Sequence, residues 1–235
     1  MPNRPERTPD AAPAGFWQRT AAWTLDAALL ALPAWWLSRV SIAAVAPAWR
    51  QAGEALSLAA ERPLRLILDG RSPLQAAVEL SSDSTLSTAA DAVQLALVRT
   101  FAAPVGVFVL LALAWHLGFE RSSWQASPGK HALGLHVSDR HGHKPAAWRS
   151  AWRFLAGAAS WLTLNLGHAL AALPPRRLAL HDRLSGTRVL TRRSGLPAWA
   201  RVWLLLQLLL LLAANVWLLV ALDAAVQAAL QRVLA

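Results

Sequence analysis

Arg19 and Asp26 stand seven residues apart at the start of an apolar run, and a second aspartate, Asp182, lies far down the chain inside LHDRLSGTRVL. One arginine and two carboxylates can form desolvated ion pairs or carry a proton. An ionised Asp inside a spanning helix costs roughly 2.5 to 3.5 kcal/mol, so it has either a partner or a task. Asp26 sits more than one turn inside the run that opens at Ala21, deep enough to be poorly solvated. Two roles fit it: a proton or cation site, or an anchor hydrogen-bonded to a neighbouring helix. Asn165 and His168, a polar pair inside a later apolar run, are the residues expected to face it and complete an ion or proton site. Arg19 lies nearer the boundary and its side chain leans away from Asp26, so its expected partner is Asp182.

Other reactive-looking residues carry weaker signals. SPGK, Ser127–Lys130, lacks the spaced first glycine of a phosphate-binding loop and the hydroxyl after its lysine. His131, His136, His141, His143 and His181 are loosely grouped, and no carboxylate or cysteine completes a metal-ligand spacing. No metal and no cofactor is expected. Nor does any catalytic triad, carboxylate pair or nucleotide fingerprint occur, so no enzyme activity is expected. Gln207 and Asn215, two turns apart in the last apolar run, are expected to hydrogen-bond to neighbouring helices or subunits.

The elements that position these residues are set by hydropathy. Of the 235 residues 55% are hydrophobic, and the mean hydropathy is +0.34. A spanning helix needs about 20 apolar residues. Three runs qualify: Ala21 to Leu37, with a continuation past Arg39 to Pro47, then Phe101 to Phe119, then Val202 to Leu222. A fourth, Phe154 to Leu173, is long enough but interrupted by Ser160, Thr163, Asn165, Gly167 and His168. Thirteen tryptophans, many beside these runs, read as an interfacial aromatic belt. The absence of cysteine excludes disulfides, thiolate metal sites and cysteine nucleophiles. The net charge of +10 is carried by loops beside apolar runs, which points to anionic head groups and not to nucleic acid.

Loop charge then constrains the topology. Glu120 to Arg153 carries six basic residues against two acids, and Pro174 to Arg201 seven against one. If all four runs crossed, these loops would face opposite sides, contrary to the positive-inside rule. Phe154 to Leu173 is therefore expected to re-enter as a helical hairpin of two arms of about ten residues, each about 15 Å long, with a fourth transmembrane helix as the alternative. Same-side placement also lets two alternating segments, ALGLHVSD and GTRVLTR, pair as a small cytoplasmic sheet. The fold class is thus an all-α membrane protein with three transmembrane helices, a re-entrant hairpin and a small sheet. Residues 1–14 read as a disordered cytoplasmic tail and the first run as a retained signal anchor.

The segments RTAAWTLD, QASPGKHALGLHVSD and PPRRLALHDRLSGTRVL resemble in combination the RDD family of bacterial integral membrane proteins, named for one arginine and two aspartates. The resemblance implies Arg19, Asp26 and Asp182 as the family signature. It also implies that Pro128 and Gly129 form an opening turn and that Lys130 contacts head groups. The domain limits expected are 15–192, with an enlarged external loop at 48–92, followed by an additional transmembrane helix in 193–235. The resemblance implies a multi-pass bacterial inner-membrane protein with a cytoplasmic N-terminus, and proton-coupled cation or small-solute transport through a homo-oligomer. The alternative is a non-catalytic membrane adaptor or assembly factor that binds a membrane protein partner through its external loop or cytoplasmic sheet.

Overall fold

The computed structural model describes residues 11–163 and 165–234. In chain order the elements are β1 (Ala12–Pro13), α1 (Phe16–Ala43), α2 (Ala46–Leu68), α3 (Pro73–Ser81), α4 (Ser84–Arg121), α5 (Pro128–Ala132), β2 (Leu135–Asp139), α6 (Ala147–Leu162), α7 (Leu166–Ala169), α8 (Leu180–Ser185), β3 (Thr187–Thr191) and α9 (Ala198–Leu234). Among the described residues, α1, α4 and α9 are the helices long and apolar enough to cross a membrane. Their outer surfaces are apolar too: Leu208–Leu212 and Val216–Val220 of α9 are all exposed, which is stable only against lipid or another apolar surface.

The chain divides into two compact units. In one, formed by Ala34–Val107 and the chain from Gln207, α2 lies on the first half of α4 through Ala48, Ala52 and Ala96, with Ala92 and Val93 packed alongside. Alanines let the two backbones approach closely, and Trp49 Nε1 donates to Thr100 Oγ1 at 2.9 Å. The segment 48–92, an enlarged loop between apolar runs with Ala-rich helical patterns, forms α2, α3 and the start of α4, which begins at Ser84, well before Phe101. A capping box between Ser72 and Gln75 and a proline at its first position start α3.

The other unit takes in the chain to Pro33 and Phe108–Leu206. Its core is Ala14, Ala21, Ala22, Leu133, Leu135, Val137, Val189 and Ala200, where the first turns of α1 and α9 pack on a three-stranded antiparallel sheet. The strand order is β1-β3-β2, with Val137 opposite Val189 and Ala12 opposite Thr191. The expected pairing of the two alternating segments is present. Ala12–Pro13 adds a third strand where a tail was expected; residues 1–10 of that tail lie outside the described residues.

The fourth apolar run departs from expectation. Its break falls where the polar cluster weakens the helix, at Asn165, whose backbone is left-handed at φ +64°. The arms are unequal, however: α6 starts at Ala147, whereas the second arm is only α7 and a 3₁₀ turn, Leu170–Ala172. No single helix covers the run, and neither arm is among the three described helices long and apolar enough to cross a membrane. The left-handed turn at Asn165 leaves α6 only 16 residues long, and Arg149 and Arg153, just before the run, make that helix amphipathic. That amphipathicity is inside out. Ser150, Arg153, Ala156 and Ser160 are buried, while Trp148, Trp152 and Leu155 face outward.

Candidate functional site

The signature residues converge in the second-described unit, where α1 begins and α4 ends. Asp26 is 1% exposed. Its carboxylate accepts from Trp115 Nε1 of α4 at 3.1 Å, Ser127 Oγ at 2.5 Å and the Gly129 backbone N–H at 2.8 Å. Indole and amide N–H groups can only donate, so the site is built for an acceptor carboxylate. Glycine is required at 129. A Cβ there would stand 2.2 Å from the Ala22 carbonyl oxygen and 2.9 Å from Asp26 Cγ, so the opening turn of α5 can touch α1 only without a side chain. Pro128 presets the first turn of that short helix.

Two expected contacts are corrected here. Asp26 takes its hydrogen bonds from Trp115, Ser127 and Gly129, not from Asn165 or His168. Asn165 is exposed at the start of α7, and the His168 ring lies tilted against that of His181, with 5.1 Å between centroids. Lys130 turns inward, with its Nζ 2.7 Å from Glu120 Oε1 of α4 and side-chain exposures of only 12% and 3%. A desolvated ammonium beside a buried carboxylate gains more from that partner than from a head group. The turn thus ties α1 through Asp26 and α4 through Glu120.

Arg19 and Asp182 form the ion pair expected of them, through Nη1 and Oδ2. Arg19 also donates through Nε to the Ala14 carbonyl at 3.1 Å and through Nη2 to the Arg177 carbonyl at 2.8 Å, joining the end of β1 to the loop before α8. Asp182, in the first turn of α8, accepts from the Ala179 N–H at 3.1 Å. Arg153 of α6 approaches its other oxygen at 3.4 Å. Burial by itself would raise the Asp182 carboxyl, but Arg153 and Arg19 hold it at about 2. Burial, with Arg153 adding to it, pushes the neighbouring His181 imidazole down to about 3. His181 Nε2 lies 3.4 Å from both Arg153 Nη2 and Asp182 Oδ1. A neutral imidazole cannot pair ionically with Asp182, so Nε2 accepts from the guanidinium and the proton sits on Nδ1.

Three carboxylates, Asp26, Glu120 and Asp182, and three cations, Arg19, Lys130 and Arg153, are thus held inside one unit. Beside them several buried atoms lack a hydrogen-bond partner: Arg153 Nη1, Asp182 Oδ1, His168 Nδ1, His181 Nδ1 and Ser160 Oγ. Asp182 Oδ1 is within ion-pair distance of Arg153 yet outside hydrogen-bond geometry. A family model, that of the RDD family, matches residues 13–186, a span that contains Arg19, Asp26 and Asp182. The chain belongs to the RDD family. No curated protein and no solved structure matches it.

This RDD protein is a membrane protein with three long apolar helices, and its signature residues close the unit in which those helices begin or end. Glu120, Arg153 and the donor role of Trp115 are not readable from the sequence. Glu120 stands at the end of an apolar run, where a carboxylate looks like a boundary charge, and Trp115 looks like one more belt residue. The one available signal is the spacing of Arg149 and Arg153, four apart on one helical face. Asn215, expected to reach a neighbouring helix, instead donates to the Leu211 carbonyl of its own helix at 2.8 Å.

Proposed function

We propose that this RDD protein is not an enzyme but moves protons, coupled to a cation or small polar solute, along the polar interior bounded by α4, α6 and α8, and that it works as a homo-oligomer. The observation that carries this reading is the set of buried polar atoms without partners around Arg153, His168, His181 and Asp182. Buried polar groups are normally satisfied, so such a set calls for water or a transient polar ligand, and ionisable groups inside a membrane protein commonly mark a transport path. Asp26 is not the ion site in this reading, because donors already occupy both its oxygens. Three helices are few for a solute path, which favours several copies.

A cytoplasmic N-terminus and sheet in a bacterial inner membrane are supported by the basic loops before α6 and α9. The first turns of α1 and α9 and the last turns of α4 share one unit, which supports three crossings with residues 122–197 on the side of the N-terminus. Purified protein in proteoliposomes tests the function. Cation-dependent proton flux is expected in the wild type, lost in Arg153→Gln with a normal elution profile, and retained per folded molecule in Asp26→Asn. No flux under any of several cation gradients overturns the reading.

A non-catalytic adaptor is the second reading, favoured by exposed Leu56, Leu58, Ile67 and Leu68 on α2 and Leu74 and Val78 on α3. It predicts that polar substitutions on these helices detach a co-purifying membrane partner without altering the thermal stability of the chain.

A further inference from the structure

The inside-out helix α6 carries an apolar stripe and, at its N-terminal end, a group of arginines in no ion pair among the described residues. Trp148, Trp152 and Leu155 recur at i, i+4 and i+7 and are 62%, 48% and 54% exposed. Arg149 lies over the Trp148 ring at 5.0 Å and donates to the Gly186 carbonyl at 3.5 Å. Arg140, in the turn after β2, closes on the same glycine: a Cβ at Gly186 would stand 2.8 Å from Arg149 Nη1 and 3.4 Å from Arg140 Nε. Arg188 of β3 donates to the Asp139 carbonyl at 3.1 Å, and its Nη2 lies beside Gly142. Among the described residues none of the three has an ion-pair partner. Asp139, whose carbonyl Arg188 binds, spends Oδ1 on the backbone N–H groups of His141 and His143.

The level of α6 relative to the bilayer follows from one contact. Phe154 packs against His116 of α4 at 5.9 Å between ring centroids, and His116 is five residues, about 7.5 Å, from the end of that helix at Arg121. The middle of α6 therefore sits near the depth where a spanning helix leaves hydrocarbon. Indole rings prefer that depth, and guanidinium groups there meet phosphate.

We propose that α6 lies in the plane of the membrane interface, with Trp148, Trp152 and Leu155 in the acyl boundary, and that Arg140, Arg149 and Arg188 form a site for the phosphate of an anionic phospholipid. Charge complementarity selects this occupant: three uncompensated guanidinium groups border an apolar stripe, the pairing an anionic lipid presents in reverse. The inference does not depend on transport.

The cysteine-free chain makes the geometry testable. Nitroxide labels at Trp148→Cys and Leu155→Cys, introduced one at a time into the full chain in liposomes, should report the same shallow depth. A helix aligned with the bilayer normal would separate them by about 10 Å and overturn the arrangement. For the lipid site, native mass spectrometry of the full chain titrated with phosphatidylglycerol or phosphatidylcholine should show preference for the former. Replacing all three arginines by glutamine should weaken phosphatidylglycerol binding roughly a hundredfold at low salt, about fivefold for each charge, and replacing them by lysine should largely preserve it. Equal binding by the glutamine variant overturns the site. Displacement of the lipid by soluble glycerol phosphate overturns the assignment to a membrane lipid.

Discussion

Replacing Gly129 by alanine tests the contact on which the first aspartate depends. The added Cβ would meet the Ala22 carbonyl oxygen at 2.2 Å, where ordinary contact begins at 3.4 Å, so α5 and α1 must separate by about 1 Å. Neither obstacle is the end of a flexible side chain; one is backbone and the other is the carboxylate that the turn itself binds. Overpacking costs about 1 to 3 kcal/mol, and stretching the 2.8 Å bond from Gly129 N–H to a charged acceptor about 1.5 to 3 more. At about 2 to 4 °C per kcal/mol for a chain of this size, the apparent melting temperature should drop by roughly 10 °C. Size-exclusion chromatography after graded heating of detergent-solubilised protein reads this directly. Gly157→Ala and Gly106→Ala are matched controls: both glycines are inside helices with nothing within 4 Å of a new Cβ, so each should be neutral or stabilise by about 0.5 to 1 kcal/mol. A Gly129→Ala variant that melts within 2 °C of wild type refutes the packing argument, and so would equal losses at all three positions.

Asp26→Asn should lower stability by about 1.5 to 3 kcal/mol, because one of three donors then faces an amide N–H₂, and Asp26→Ala should cost more by stranding all three; a smaller loss for alanine in the same heating assay would contradict the donor cage. Glu120→Gln leaves Lys130 desolvated and unpaired, at a cost of about 3 to 5 kcal/mol, and adding Lys130→Met should restore part of it; strictly additive losses would mean that the two do not interact. His181 gives a pH signature. Its folded value of about 3 lies below the ordinary 6.5, so the unfolded chain takes up the proton first as pH falls, and stability present above pH 6.5 is lost progressively between 6.5 and 3. Between pH 6.5 and 5 this amounts to about 2 kcal/mol, and His181→Gln should flatten the melting curve against pH over that window; an unchanged slope assigns the effect elsewhere.

Arg19 and Asp182 could be paired from sequence because both were expected at one membrane boundary, one at the end of a span and the other in the strand-forming region. Arg153, the third member, is not marked by its sequence, because an arginine opening an apolar run resembles a positive-inside anchor even with Arg149 four residues before it. The partners of Asp26 are hidden for a related reason: two of its three donors are a backbone amide and an indole, which carry no sign in sequence of whom they serve. The resemblance implies a head-group contact for Lys130, and nothing in the local sequence marks Glu120, ten residues earlier, as its partner.

Membrane class, the three apolar helices and the pairing of β2 with β3 were determined by sequence alone, since transfer free energy and side-chain alternation sum over short local windows. The partners of the buried charges, the unequal arms about Asn165 and the outward apolar face of α6 were decided only by tertiary structure. Those outcomes depend on which groups from distant segments lose water together, and a desolvated charge takes whichever partner the packing brings within hydrogen-bonding distance.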